Sequence, residues 1–264
     1  MNTELRDASV RHWLVAVGAG LLMVAASAVV GLSFQVVPVS TAFKISIPTL
    51  MIYYSIYTVG SAISMASSGR IASKIGMKPV VIVGGLLSTI AFLGMSMALD
   101  VTTLYIFAFL LGLGWGGSTS LAATVLVTNW FDKRRGTVMG AVMACSGLGG
   151  IFLGLVLPRI IQSMGWQAGY VGLAMFMFVF VVLPGVFLIG SYPAKYNLLP
   201  YGALAVAAEE RVTIGAEKDT GVKYSRALRS SALYILFAAM FCLSLCSVVQ
   251  QYYPTIIQSR GIDA

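Results

Sequence analysis

Seven apolar runs, each about the length of a bilayer crossing and each closed by charged or turn-forming residues, leave this chain few folds to choose from. They lie at 13–34, 48–67, 79–98, 102–127, 137–157, 166–190 and 231–253. An α-helix rises about 1.5 Å per residue, so roughly 20 residues cross a hydrocarbon core about 30 Å thick. The runs are continuous rather than alternating, which excludes a membrane β-barrel. Composition agrees: of 264 residues, 58% are hydrophobic and only 10% charged, where a soluble domain carries about a quarter charged. Soluble enzymes, disordered chains and fibrous proteins fall away, and an all-α polytopic membrane protein is expected.

The first run has Arg6 and Arg11 ahead of it and small residues at 25–28, as a signal peptide would. Six further spans make it a retained first helix. Prolines support the segmentation. Pro79 opens the third span, where a missing N–H is harmless. Pro158 and Pro254 are read as lying just past helix ends, and Pro184-Gly185 predicts a kink in the sixth span.

The basic residues sort by loop. Arg6, Arg11, Arg70, Lys74, Lys78, Lys133, Arg134, Arg135 and the six between residues 195 and 229 fall on one side. Lys44, Arg159 and Arg260 fall on the other. Lys and Arg concentrate in cytoplasmic loops, so the N-terminus is expected inside and residue 264 outside, in a multi-pass protein of the plasma membrane. The net charge of +8 is therefore an orientation signal and implies no nucleic-acid partner. Three regions follow: a six-helix bundle over 1–190, a cytoplasmic loop over 191–230, and over 231–264 the first helix of a second bundle.

The spans hold no acidic or basic side chain, and a charge at mid-membrane usually marks function. A carboxylate proton relay, a Ser/His/Asp arrangement and a phosphate-cradling loop are all absent from them. His12 is the only histidine and is read as an interfacial residue beside Trp13. Cys145, Cys242 and Cys246 have no His or carboxylate companion, so they are read as inert buried thiols, with no metal and no cofactor expected. No enzyme is indicated. Glycine crowds the fourth and fifth spans instead. Gly112 with Gly116, and Gly147, Gly150 and Gly154, are assigned to close helix packing, within the bundle or between copies.

Two short basic loops carry the sharper signal. The first is Gly69-Arg70-Ile71-Ala72-Ser73-Lys74-Ile75-Gly76-Met77-Lys78. Glycine, four residues, a base, then Gly-x-base between the second and third spans resembles the signature loop of the major facilitator superfamily. That pattern normally has Asp where Ser73 stands. The resemblance implies that Gly69, Arg70, Lys74, Gly76 and Lys78 form a cytoplasmic gate. The second loop, Asn129-Trp130-Phe131-Asp132-Lys133-Arg134-Arg135-Gly136, resembles the oxalate/formate antiporter and monocarboxylate transporter branch. Gly140, the run at 146–150, Gly165-Trp166, Tyr192-Pro193 and Pro200-Tyr201-Gly202 fit that branch too. Asp132, Lys133, Arg134, Arg135 and Gly136 are the second candidate loop site. The plainer alternative for both loops is positive-inside anchoring alone.

In this family the first, fourth and seventh helices line a central cavity. The resemblance therefore nominates Gln35, Trp115, Ser118, Thr119, Gln250 and Gln251 for solute contact, each with helix–helix hydrogen bonding as its plainer role. The expected activity is secondary transport of a small solute, an organic anion on the branch resemblance, by alternating access of two bundles. Six spans, a long inside loop and one further span suggest a chain that lacks its second bundle and is inactive alone. The alternative class is a seven-helix receptor or sensor, whose N-terminus would lie outside.

Overall fold

The structure is a computed structural model that describes residues 9–203 and, beyond them, residues 230, 234–235, 237–239 and 241–242. It divides into two units, Met1–Ala207 and Ala208–Ala264. In the second unit the described residues from 234 to 242 are helical, where the seventh span is expected. Cys246, Gln250, Gln251 and Pro254 lie outside the described residues.

The described residues of the first unit, 9–203, form helices joined by short turns. Its first span runs from Val10 to Phe43, broken once: α1 is Val10–Ala26, α2 is Ala28–Phe43, and Ser27 between them donates its hydroxyl to the Val24 carbonyl at 2.6 Å. The sequence reading ended this span at 34. It continues through Pro38 because a proline deletes only one amide and the hydroxyls that follow it, of Ser40 and Thr41, return to Val37 O. Lys44, in the left-handed region at φ 54°, ends it.

The second span is α3, Ile47–Ile75, started by Ser46 accepting from the Thr49 amide. Gly76 alone joins it to α4, Met77–Ser96. At φ 87° that position suits glycine, and a Cβ there would lie 2.6 Å from Ser191 Cβ. The fourth span is again split, into α5, Val101–Ser118, and α6, Ser120–Trp130, around Thr119. Then come α7, Arg135–Met164, and α8, Trp166–Met177, a π-helical turn at Phe178–Val182, and α9, Leu183–Phe187.

Five stretches among the described residues are long and apolar enough to cross a membrane: Val10–Phe43, Met77–Ser96, Val101–Trp130, Arg135–Met164 and Trp166–Phe187. The helix α3 is long enough but falls outside that set, because tyrosines, serines and threonines dilute its apolar face. Two of its hydroxyls bond its own backbone, Thr58 to Tyr54 O and Ser67 to Ile63 O, both at 2.8 Å.

Proline behaves differently at two sites. Pro158 lies inside α7 rather than past its end. An isolated proline removes one hydrogen bond, and a long apolar helix with eager neighbours on both sides of it propagates through. Pro184 does distort its helix. The π-helical turn sits immediately before it, widening the turn whose carbonyl the ring would strike.

The bundle is held by backbone-to-backbone contact of α3, α4 and α5. A Cβ on Gly60 would stand 2.6 Å from Phe109 O, and one on Gly84 2.6 Å from Gly114 O. Helix α5 therefore sits between its two partners with almost no side-chain spacer. Gly112 and Gly116 are part of that contact. Gly147, Gly150 and Gly154 meet nothing within 4 Å in the described structure. The glycine of α7 that does pack is Gly149, against Val24 and Ser27 at the break of the first span.

Candidate functional site

Two regions gather the polar side chains of the bundle. The first is an aromatic and hydroxyl cluster at membrane depth, from α2, α3 and α5. Ser33 of α2 meets Tyr54 of α3 at 3.0 Å between oxygens. Tyr53 donates to Leu32 O at 3.1 Å. One turn along α3, the ring of Tyr57 lies edge-on to that of Trp115 of α5, centroids 5.7 Å apart. The Trp115 indole N–H is buried and has no hydrogen-bond partner among the described residues. A buried donor without an acceptor is uncommon in native structures and asks for an explanation.

The residues nominated for solute contact are placed as follows. Ser118 and Thr119 are fully buried, and their hydroxyls go back to Gly114 O at 2.7 Å and Trp115 O at 2.9 Å. Gln35 is buried too. With its amide oriented to satisfy both ends, it donates to Trp166 O at 3.3 Å and accepts from the Tyr170 amide at 3.1 Å, bolting α2 to the start of α8. Trp115 is half-buried and is the nominated residue with an open donor. The structure brings Trp115, Ser118 and Thr119 together on one turn of the fourth span and leaves Gln35 at the α2–α8 contact.

The second region is the junction at the ends where the basic loops lie. In the first loop Gly69 is open, and Arg70 and Lys74 are exposed. Ser73 donates to Arg70 O at 2.8 Å. Lys78 is engaged: its amide donates to Ser191 Oγ at 3.1 Å and its ammonium to Val186 O at 2.6 Å. A cation on the last carbonyls of α9 complements the negative end of that helix. Tyr192 donates to Ala72 O at 3.2 Å. The loop is thereby fastened to the end of the sixth span.

The second loop is held by the same downstream segment. Tyr201 donates its amide to Trp130 O at 2.8 Å, and its carbonyl accepts from the Asp132 and Lys133 amides at 3.1 and 3.0 Å. Trp130, fully buried, donates its indole N–H to Gly190 O at 3.0 Å. Arg135 donates to Thr128 O. Gly136 is open, and Arg134 sits at φ 59° as the residue before α7.

His12 is more enclosed than its place beside Trp13 suggested. It is fully buried within the protein, its ring centroid within 6.2 Å of those of Trp130, Phe131 and Tyr201. Its Nε2 lies 2.9 Å from Leu199 O, and its Nδ1 lies 3.2 Å from the Ser9 amide. Nε2–H donating and Nδ1 accepting satisfies both contacts in one neutral tautomer. Arg11 beside it stacks on Tyr196, 3.5 Å from the ring centre. The reason is polar satisfaction: an imidazole with a carbonyl and an amide to bond is comfortable inside, while Trp13 takes the exposed position.

The thiols differ from expectation as well. Cys145 is half-buried and Cys242 is exposed. Both lie on helices whose apolar faces are not all covered within their unit, so an apolar neighbourhood did not guarantee burial.

The segment from Ile189 to Gly202 thus reaches the ends of α1, α3, α4 and α6. Sequence reasoning registered its Tyr-Pro and Pro-Tyr-Gly pairs only as a family likeness and placed it in a loop beginning at 191. The signal that could have found it is its aromatic and proline content, unusual for a free linker: Tyr192, Pro193, Tyr196, Pro200 and Tyr201 within ten residues.

Comparison with known proteins completes the picture. The family model for the Major Facilitator Superfamily matches residues 14–264. Multidrug resistance protein MdtL of Escherichia coli (strain K12 / DH10B) is 32% identical over 141 residues, 51% of this chain and 36% of that protein. MdtL of Shigella boydii serotype 18 matches to the same extent. The matched part is thus well under two thirds of the length of these relatives.

Proposed function

Since the chain belongs to the major facilitator superfamily, and so to a family of membrane transporters, we propose that the Tyr54–Tyr57–Trp115 cluster contacts the solute it carries. The observation behind this is the buried, unpartnered indole N–H of Trp115 beside the Tyr57 ring, one turn from the break at Thr119. Interrupted helices at membrane depth are where transporters of this kind place their sites. The solute that suits the cluster is small, largely apolar, and carries a hydrogen-bond acceptor. The name of the relatives, multidrug resistance proteins, supports an apolar solute moved outward. Transport is secondary and proceeds by alternating access, with the N-terminus on the cytoplasmic side of the plasma membrane and the two basic loops at the cytoplasmic gate.

A second reading, exchange of an organic anion, is supported by the resemblance of the 129–136 loop and of Gly165-Trp166 to the oxalate/formate and monocarboxylate branch. A carboxylate at membrane depth needs a cation or several donors, and the described cluster offers hydroxyls and one indole. A seven-helix receptor is supported by neither the family nor the charge pattern.

The test is binding of a lipophilic dye and of a short monocarboxylate to the protein in proteoliposomes, measured in parallel. Trp115→Phe keeps the ring and removes the donor. Loss of one neutral hydrogen bond of about 1 kcal/mol lowers apparent dye affinity roughly fivefold, with protein yield and melting unchanged. Unchanged dye handling by Trp115→Phe would remove the cluster from the solute path. Saturable binding of the monocarboxylate without the dye would favour the anion reading.

A further inference from the structure

A groove of about 470 Å³ runs between α1 and α7, wholly inside the first unit and away from the aromatic cluster. Its walls are alanines, valines, leucines and a glycine, with Trp13 and Val24 marking the two ends on α1. The polar lining is confined to Arg134 and Thr137 at the Trp13 end and Cys145 toward the other. Arg134 is exposed, and Lys133 and Arg135 flank it, with Asp132 as the acid of that loop.

Length decides what such a groove fits. From Trp13 to Val24 the helix advances about 16 Å, and half of a hydrocarbon core is about 15 Å. The groove therefore spans one leaflet, starting at an interfacial tryptophan and ending near mid-bilayer. Its charge is at the headgroup end and its remaining lining is hydrocarbon. Basic pockets between membrane helices on the cytoplasmic side suit anionic lipid headgroups. We propose that this groove is a binding site for one acidic phospholipid, its acyl chain lying between α1 and α7 and its phosphate on Arg134 with Lys133. Occupancy ties the first and fifth spans together on the face that α7 otherwise leaves open. The inference requires that the chain spans a bilayer; it is independent of which solute is carried.

Cys145 makes the occupancy measurable. The full chain with Cys242→Ser and Cys246→Ser is reconstituted in vesicles of phosphatidylcholine alone, or of phosphatidylcholine and phosphatidylglycerol in equal parts. Two quantities are read: the rate at which a membrane-permeant maleimide alkylates Cys145, and the lipid retained on extraction, by native mass spectrometry. Phosphatidylglycerol slows alkylation and is retained over phosphatidylcholine. Lys133→Gln and Arg134→Gln each weaken its retention about fivefold, the effect of one cation near a charged headgroup. Ala141→Phe, which fills the groove, abolishes both preference and protection. Equal retention of the two lipids, or retention indifferent to the charge variants, overturns the site. So does protection of Cys145 by a transported solute with no effect of phosphatidylglycerol, which would hand the groove to the solute path. The charge variants lie on an exposed loop, so the test stands even where Ala141→Phe does not fold.

Discussion

Helices α5 and α7 carry similar glycine runs and use them in opposite ways. In α5, Gly112, Gly114, Gly116 and Gly117 are buried, and every one of them is set against α3 or α4. In α7, Gly140, Gly147, Gly150 and Gly154 have open space where a Cβ would be, and Leu148, Ile151, Phe152 and Leu155 around them are exposed. Small-xxx-small spacing permits two backbones to approach. It does not say whether a second backbone is there. What separates the helices is the partner: α3 brings Gly60, Ser61, Ser64 and Ser68 to face α5, so both surfaces are shaved flat at the same height. No described helix offers such a counterpart to the open face of α7.

The largest test of this contrast is one substitution made on both helices. Gly112→Ala places a methyl group 2.8 Å from the Ser61 amide nitrogen and 3.1 Å from the Gly60 carbonyl carbon, atoms of a helix backbone that cannot step aside. Overpacking costs up to about 3 kcal/mol, and the better helix propensity of alanine returns about 1, for a net loss of about 2 kcal/mol. The chemical unfolding midpoint in mixed micelles should fall accordingly. An unchanged midpoint would mean that α3 and α5 are not in backbone contact.

Gly150→Ala is the matched opposite. With nothing to strike, alanine restricts the unfolded chain and favours the helix, so stability rises by about 0.5–1 kcal/mol. The same titration reads it. A loss at Gly150 would reveal a surface lying on that face of α7, another copy or another part of the protein, and the contrast between the helices would then be one of partners rather than of packing.

This contrast also marks what the sequence could reveal. Apolar runs and loop charges located the helices, since a hydrocarbon core imposes both length and polarity on whatever crosses it. The superfamily likeness was legible for a related reason. The 69–78 loop contains few residues and has a backbone requirement, Gly76 at φ 87° under Ser191. Partner choice was not legible: the glycines of α5 and α7 look alike in one dimension. Nor was the fate of His12, because burial of an imidazole turned on Leu199, which lies 187 positions away in sequence. Pro158 and Pro184 were misjudged or judged well for one reason, that neighbours decide whether a proline ends, kinks or merely interrupts a membrane helix.

The two helices differ at their N-termini too, and here the expected effect is smallest. Helix α5 is started by Asp100, whose carboxylate accepts from the Thr103 amide at 2.8 Å and from its hydroxyl. Helix α7 starts at Arg134 in the left-handed region, with no side-chain cap and no acid in its first turn. The Thr103 donors favour the charged form of Asp100 and hold its carboxyl below the ordinary value of 3.8. A group with a lowered pKa in the folded state contributes stability above its unfolded value, and that contribution is lost as pH falls through the folded one. Melting followed from neutral pH down to acid should therefore drop for the native chain below the ordinary carboxylate range, and drop less for Asp100→Asn, which keeps an acceptor without the charge. The side chain is fully exposed, so the difference is small. Parallel curves for the two proteins would show that Asp100 starts α5 by geometry alone, as Arg134 must start α7.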